Sequence, residues 1–203
     1  MTFAPTLPDG ITDLPAGKLA SIVTYLEMKA RPKPRNSAPQ PDLTLALHDA
    51  PSVAWYRGLY RLVGDDYLWF SRLLWEDADL AAHLKSDAVE VWSVQKQGED
   101  LGLLELEWMA NGDCELSFFG LSADLIGGGV GRWLMEHAIA RAFSRDINRF
   151  FVHTCTLDSP QALGFYTRSG FVPYGRAVEI ADDPRISGLI PEARAPHVPL
   201  IKG

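Results

Sequence analysis

Residues 126–131 read Ile126-Gly127-Gly128-Gly129-Val130-Gly131. Glycines in a run let the backbone turn tightly and expose successive N–H groups. Where such a run opens a helix, those groups and the helix dipole make an anion site suited to phosphate or pyrophosphate; the plain alternative is a flexible connection. The run is not a Walker A loop, because no Gly-Lys-Ser/Thr ends it. It is not a dinucleotide fingerprint either: Gly129-Val130-Gly131 is followed by Arg132-Trp133, where another small residue is needed. A second constellation runs from Ser159 through Ala162 and Tyr166 to Gly170-Phe171, which by itself reads as an amphipathic helix stopped by glycine. Glu105, Glu107 and Glu115 are carboxylates available for proton transfer, and Glu105 and Glu107 share one face by alternation. His153 stands alone, and a lone histidine is more often structural. His48, His83, His137 and His197 have no ligand spacing, so no metal is implied. Cys114 and Cys155 are too far apart for a zinc spacing and too few for a disulfide framework.

The elements that must position these residues follow from periodicity. Residues 18–29 contain Ile22, Val23, Tyr25 and Leu26 and are a strand candidate. Ala30 to Asp42 holds Pro32, Pro34, Pro39 and Pro41 and is an extended connection. Leu43 to Leu47 is a short strand, and Asp49, Pro51 and Ser52 are turn and helix-start residues. Val53 to Leu84 has helical spacing interrupted at Gly64-Asp65-Asp66, which predicts two or three short helices. Residues 88–97, 101–109 and 114–121 read as three strands of an antiparallel meander, with Asn111-Gly112 a strong hairpin signal. Ser122 to Gly131 is a loop. Residues 131–145 form an amphipathic helix with Leu134, Met135, Ala138, Ile139, Ala142 and Phe143 on one stripe. Arg149 to Leu157 is a strand apolar on both faces, hence central. A helix at 159–169 and a strand at 171–180 follow. The tail from Ala181 to Gly203, with Pro184, Pro191, Pro196 and Pro199, is expected to run extended over the surface.

This order predicts an α/β (α+β) layer arrangement with helices on the faces of a mixed sheet. The expected organisation is an N-terminal strand and proline-rich connection over 1–42, a main domain over 43–180 and an extended tail over 181–203. The 203 residues, 47% apolar and 22% charged, exclude disordered, collagen-like and coiled-coil chains. Lys and Arg number 19 against 26 Asp and Glu, a formal charge of -7 with no basic block. That argues against nucleic acid and is compatible with cationic or neutral small partners. Residues 1–10 lack the basic and apolar regions of a signal peptide, and no apolar stretch reaches a membrane span. The expectation is a soluble cytoplasmic protein with no membrane partner.

Gly129-x-Gly131 opening a helix after a strand resembles motif A of the GNAT superfamily of acyl-CoA-dependent N-acetyltransferases. That motif usually has Gln or Arg three residues before the first glycine of the pair, where this chain has Ile126. Ser159, Ala162, Tyr166 and Gly170-Phe171 resemble motif B at all five positions. The two motifs cover residues 115–172, and the meander and preceding helices agree with the family's order. The resemblance implies a GNAT fold: a mixed, mostly antiparallel sheet splayed at the centre with helices on both faces. It implies acetyl-CoA as co-substrate, with Ile126, Gly127, Gly128, Gly129, Val130, Gly131 and Arg132 around the pyrophosphate. Phe119, Gly120 and Leu121 would end a bulged, splayed strand that pairs with pantetheine and supplies an oxyanion donor; Gly120 suits the bulge. Ser159 would contact coenzyme A near the pantetheine, or act simply as a helix N-cap.

By the same resemblance Tyr166 is the general acid toward the departing thiolate, against a packing role. Glu115 is the candidate base, against a solvated strand carboxylate, with Glu105, Glu107 or water as fallback. The aromatics Trp55, Tyr56, Tyr60, Tyr67, Trp69, Phe70 and Trp75 lie on the helices that wall the acceptor site in this family. The leading expectation is acetyl transfer to a primary amine of a small molecule or peptide by direct attack. The alternative is a non-catalytic acyl-CoA-sensing module of the same fold, which Tyr166 disfavours because a sensor has no thiolate to protonate. The terminal extensions are candidates for pairing two copies as a homodimer.

Overall fold

The structure, a computed structural model, describes residues 9–38 and 40–203. The readings that rest on Met1 to Pro8 and on Pro39 lie outside these residues. In chain order the elements are β1 (Lys18–Met28), β2 (Leu43–His48), α1 (Val53–Gly64), α2 (Asp77–Leu84), β3 (Val89–Lys96), β4 (Glu99–Trp108), β5 (Asp113–Leu121), α3 (Val130–Ala142), β6 (Arg149–Cys155), α4 (Ala162–Ser169) and β7 (Val172–Asp182). Two single-turn 3-10 segments, Asp65–Tyr67 and Ser71–Leu73, join α1 to α2. Ser52 caps α1, its hydroxyl accepting from the Trp55 N–H. Gly170, at φ 107°, stops α4.

The strands form one seven-stranded sheet in the order β2-β3-β4-β5-β6-β1-β7. Every pairing is antiparallel except β5 with β6, which run parallel over three residue pairs, from Asp113 opposite Arg149 to Glu115 opposite Phe151. Beyond Glu115 and Phe151 the two strands part, so the sheet is splayed at its centre. β1 enters between β6 and β7, so residues 18–28 complete the sheet of the main body.

Helices cover both faces. Leu134, Met135 and Ala138 of α3 pack on Leu104, Leu106, Leu116 and Phe150. Tyr56, Leu59, Tyr60 and Val63 of α1 pack with Leu80 of α2 on Leu103 and Val91. Among the described residues no helix is long and apolar enough to cross a membrane.

Two expectations are corrected. The bulge in β5 falls at Ser117 rather than Gly120: Glu105 faces Phe118 while Leu106 faces Leu116, leaving Ser117 unpaired. Gly120 is instead a point of close approach, since a Cβ there would lie 2.9 Å from Val63 and 3.1 Å from Trp69. The C-terminal segment does not run extended. It folds in turns against the α1 side of the sheet, with Ile190 and Ala195 fully buried. Its prolines remove backbone donors but do not prevent burial. Arg185, almost fully buried, holds the fold-back: it donates to both Asp183 carboxylate oxygens and to the carbonyls of Arg194, Ala195 and Val198.

Candidate active site

The parting of β5 and β6 leaves the β6-facing backbone of residues 116–121 without a strand partner. A cavity of about 500 Å³ opens there. Phe119, Gly120 and Leu121 line it from β5, Val152 and His153 from β6, Tyr166 from α4, and Trp69 and Phe70 from the α1–α2 connection. At the bulge, the Ser117 hydroxyl is buried with no partner among the described residues.

A recess of about 440 Å³ adjoins the cavity, and both are bordered by Gly131, Phe165 and Arg168. Its floor is the glycine loop. Gly127, Gly128 and Gly129 have φ of 101°, 55° and 83°. A Cβ at Gly127 or Gly128 would meet nothing within 4 Å, so glycine is required there for conformation rather than space. Gly129 leads into α3 without a side-chain cap. Among the described residues the amides of Gly131 and Arg132 find no backbone acceptor, which leaves them with the helix dipole at the recess. Val130 bonds back to Gly127, and the Ile126 side chain is exposed along the cavity wall.

Two further residues converge on this loop, and neither carries a motif. The Gln40 amide donates to the Gly128 carbonyl at 3.0 Å. Arg35 donates to Glu136, to the Ser169 hydroxyl and to the Arg168 carbonyl. Both stand on the proline-rich connection, whose extended backbone gives it the reach to cross from β1 to the loop. Arg35, Arg132 and Arg168 thus ring the recess.

Ser159 lies at the cavity edge, but α4 begins only at Ala162. The Ser159 hydroxyl accepts from the Gln161 N–H at 3.4 Å, so it shapes the turn before the helix. Tyr166 is buried beside the cavity and donates to no side chain among the described residues. Burial first, and the nearby Asp158 charge second, push its phenol well above the usual tyrosine range, which keeps it protonated.

Glu115 is largely buried and lies behind the cavity wall, opposite Glu107 on β4 and Phe151 on β6. Its Oε1 sits 3.4 Å from Nδ1 of His153, and His153 is the member of the pair that borders the cavity. The Glu115 hydrogen bond raises the His153 pKa above 6.5 against the lowering effect of burial, and the charges of Asp158 and Glu179 add to the rise. Glu105 is excluded as a base by position. It is fully buried on the α1 side and accepts from Arg72 at 2.7 Å, from Tyr56 and, at 3.0 Å, from His83. Tyr56 is thereby committed to a structural network. Trp55 donates to Asp100, and Trp75 packs under Arg72. Tyr60, Tyr67, Trp69 and Phe70 do reach the cavity.

Asp158 carried no sequence signal beyond its place before Ser159. Its Oδ1 accepts from Trp69 Nε1 at 2.9 Å, and its Oδ2 accepts from the Thr154 hydroxyl and the Cys155 N–H. All three donors are neutral, and among the described residues Asp158 makes no ion pair, so it presents a carboxylate at the cavity edge with His153 among its titratable neighbours.

A model of the acetyltransferase (GNAT) family matches residues 38–171. The chain belongs to this family. No curated protein matches it. Among solved structures it resembles a GCN5-related N-acetyltransferase from Sphaerobacter thermophilus, with TM-score 0.57 and 13% identity over 86% of this chain and 54% of that one. It therefore spans about half the length of that relative. A GNAT family acetyltransferase from Elizabethkingia anophelis with acetyl-CoA bound gives TM-score 0.51 and 17% identity over 67% and 80% of the two chains. An aminoglycoside acetyltransferase from an uncultured soil metagenomic sample, in complex with sisomicin, gives 0.52 and 13% over 64% and 88%. These likenesses show the GNAT fold. The mixed sheet with helices on both faces agrees with it, and acetyl-CoA is the co-substrate of the family.

Proposed function

We propose that this GNAT chain transfers the acetyl group of acetyl-CoA to a primary amine of a small molecule or peptide by direct attack. The observation that carries the reading is the separation of charge along one continuous cleft. Arg35, Arg132, Arg168 and the free amides of the glycine loop gather at one end, a setting for the coenzyme's phosphates. Asp158, Glu179 and the Glu115–His153 pair gather at the other, a setting for an ammonium. The thioester would lie between them, at the splay.

The acceptor arrives as an ammonium and must lose a proton before its lone pair can attack. In this reading His153 takes that proton, and Glu115 behind it orients the ring and stabilises the imidazolium. Glu115 thus acts through His153 rather than on the amine. The nitrogen attacks the thioester carbon, and a backbone N–H among Phe119, Gly120 and Leu121 steadies the oxyanion. The C–S bond then breaks as Tyr166 gives its proton to the leaving thiolate, and the second proton of the attacking nitrogen passes, directly or through water, to the tyrosinate so formed. The products are an N-acetyl amide and free coenzyme A.

The test is amine-dependent release of coenzyme A thiol, with the amide identified by mass spectrometry. Binding of acetyl-CoA with no thiol release across a broad amine panel would replace this reading with the sensing module.

A further inference from the structure

The amine end of the cleft has walls of a distinct kind. Tyr60, Trp69 and Phe118 form one packed aromatic cluster, with ring centroids 5.6 Å apart for Tyr60–Trp69, 4.9 Å for Tyr60–Phe118 and 5.3 Å for Trp69–Phe118. All three border the cavity, and Tyr67 and Phe70 extend the same wall. Trp69 is fixed in orientation because its indole N–H is bound to Asp158. The Trp69 indole and a carboxylate without an ion pair among the described residues are therefore joined by one hydrogen bond at the cavity wall. Glu179 of β7 adds a second negative charge on the far side.

We propose, building on the acetyl-transfer reading above, that the acceptor is an arylalkylamine: one primary ammonium on a short chain carrying a flat apolar ring. Asp158 would hold the ammonium, and Trp69 with its aromatic neighbours would take the ring. An aromatic body gains from stacked and edge-on contacts on such a wall, and an ammonium beside it gains from the ring faces as well as from the carboxylate. A polyhydroxylated aminosugar would set part of its hydroxyls against the ring faces of this aromatic wall, which offer no strong partner, and binding penalises that. A polyamine would place its second cation against aromatic wall or toward the arginines of the coenzyme end.

The experiment has three arms on the full chain. Acetyl-CoA binding is measured first by thermal shift. Binding of 2-phenylethylamine to the coenzyme A-saturated protein is then measured by calorimetry. Finally, kcat/KM is compared for 2-phenylethylamine, butylamine, spermidine and kanamycin. The expected result is binding of 2-phenylethylamine and a kcat/KM at least about tenfold above each of the others, the discrimination an apolar pocket supplies. Trp69→Leu should raise KM for 2-phenylethylamine by about tenfold and that for butylamine by less. Asp158→Asn should raise KM for both amines. Phe70→Ala, which keeps the Trp69–Asp158 bond, serves if Trp69→Leu fails to fold and carries the same expectation. Preference for spermidine or kanamycin, with acetyl-CoA still bound and turned over, would overturn the acceptor class and leave the acetyl-transfer reading standing. Absence of acetyl-CoA binding would overturn both.

Discussion

At Tyr166 the environment fixes the protonation state. A phenol whose pKa is pushed up by burial and by a neighbouring carboxylate holds its proton at neutral pH, so under the proposed mechanism it enters the reaction as the donor. Tyr166→Phe should lower kcat by about a hundredfold, the usual loss for a general acid, with acetyl-CoA affinity nearly kept. Steady-state kinetics beside a binding isotherm separate the two; an unchanged kcat would reduce Tyr166 to packing. The Glu115–His153 pair makes a prediction about pH. The groups facing His153 are Glu115 from β5, Tyr25 from β1, Asp158 from the β6–α4 turn and Glu179 from β7. Protonated His153 cannot accept the amine's proton, so kcat/KM should rise with pH through an apparent pKa above 6.5. Glu115→Gln removes the interaction that raises that pKa, so the rising limb should move to lower pH while its plateau falls. His153→Gln should abolish the limb, leaving a rise only where the amine deprotonates unaided. A Glu115→Gln profile that overlays the wild type would detach Glu115 from the mechanism. The linked stability effect has a fixed sign. Because the folded pKa is raised, the His153 charge favours folding below pH 6.5, and that contribution fades as pH climbs through the folded value.

Among the elements, the loop before α3 and the strand β4 do separate jobs. The loop holds three consecutive glycines at positive φ, a conformation that costs other residues about 1–2 kcal/mol each. Gly129→Glu would add that strain and also set a carboxylate in the recess proposed for the coenzyme's phosphates. The mutant should fold but lose the rise in melting temperature that acetyl-CoA gives the wild type. An undiminished shift would reject the loop as the phosphate site. On β4, Glu105 ties the strand to α1, α2 and the turn between them through Tyr56, His83 and Arg72. Its pKa is set by two opposed effects: burial, the largest, raises it, while bonds from His83 and Arg72 lower it to a net value below 4.5. Glu105→Ala would strand the Arg72 charge in the interior. Breaking a buried pair from one side costs about 3–5 kcal/mol, which in a chain of this size lowers Tm by roughly 10 °C. Differential scanning calorimetry reads this directly, and a Tm within about two degrees of wild type would show Glu105 to be dispensable.

Over the whole molecule, both ends of the chain close the structure. β1 fills the gap between β6 and β7, and residues 183–203 fold back over the α1 side with Arg185 as their anchor. Arg185→Ala would leave the Asp183 carboxylate and three carbonyls short of a donor inside the protein. It should cost about 3–5 kcal/mol and make residues 184–203 susceptible to limited proteolysis. Equal protease resistance of mutant and wild type would show that the buried apolar side chains alone hold the segment. Charge is not spread evenly over the cleft: Arg35, Arg132 and Arg168 ring the recess at the glycine loop, and Asp158, Glu179 and the Glu115–His153 pair stand about the cavity. That polarity is a property of the assembled sheet, because Arg35 and Glu179 come from opposite ends of the chain.

What the sequence determined alone was whatever depends on neighbours within about a dozen residues. The meander reads from its alternation and from Asn111-Gly112, α3 from its apolar stripe, the glycine loop from composition, and the stop of α4 from Gly170. The family was legible because both motifs are local and stand at fixed offsets. Tertiary structure decided everything that rests on register and crossing. A bulge at Ser117 rather than Gly120 follows from how β4 meets β5, and the need for Gly120 comes from a helix packed across the strand. The N-terminal strand takes its place in the sheet through two long-range pairings that no local pattern specifies. Two carboxylates on neighbouring strands, Glu105 and Glu115, look alike in a pattern of alternation, and Asp158 in the turn after β6 carries no pattern at all. Only packing separates them: Glu105 is sealed by Arg72 and His83, Glu115 meets His153, and Asp158 is drawn to the cavity edge by Trp69, a residue 89 positions away. Local sequence fixes which groups are present; the dielectric, partner and access that give each its chemistry exist only once distant segments have packed together.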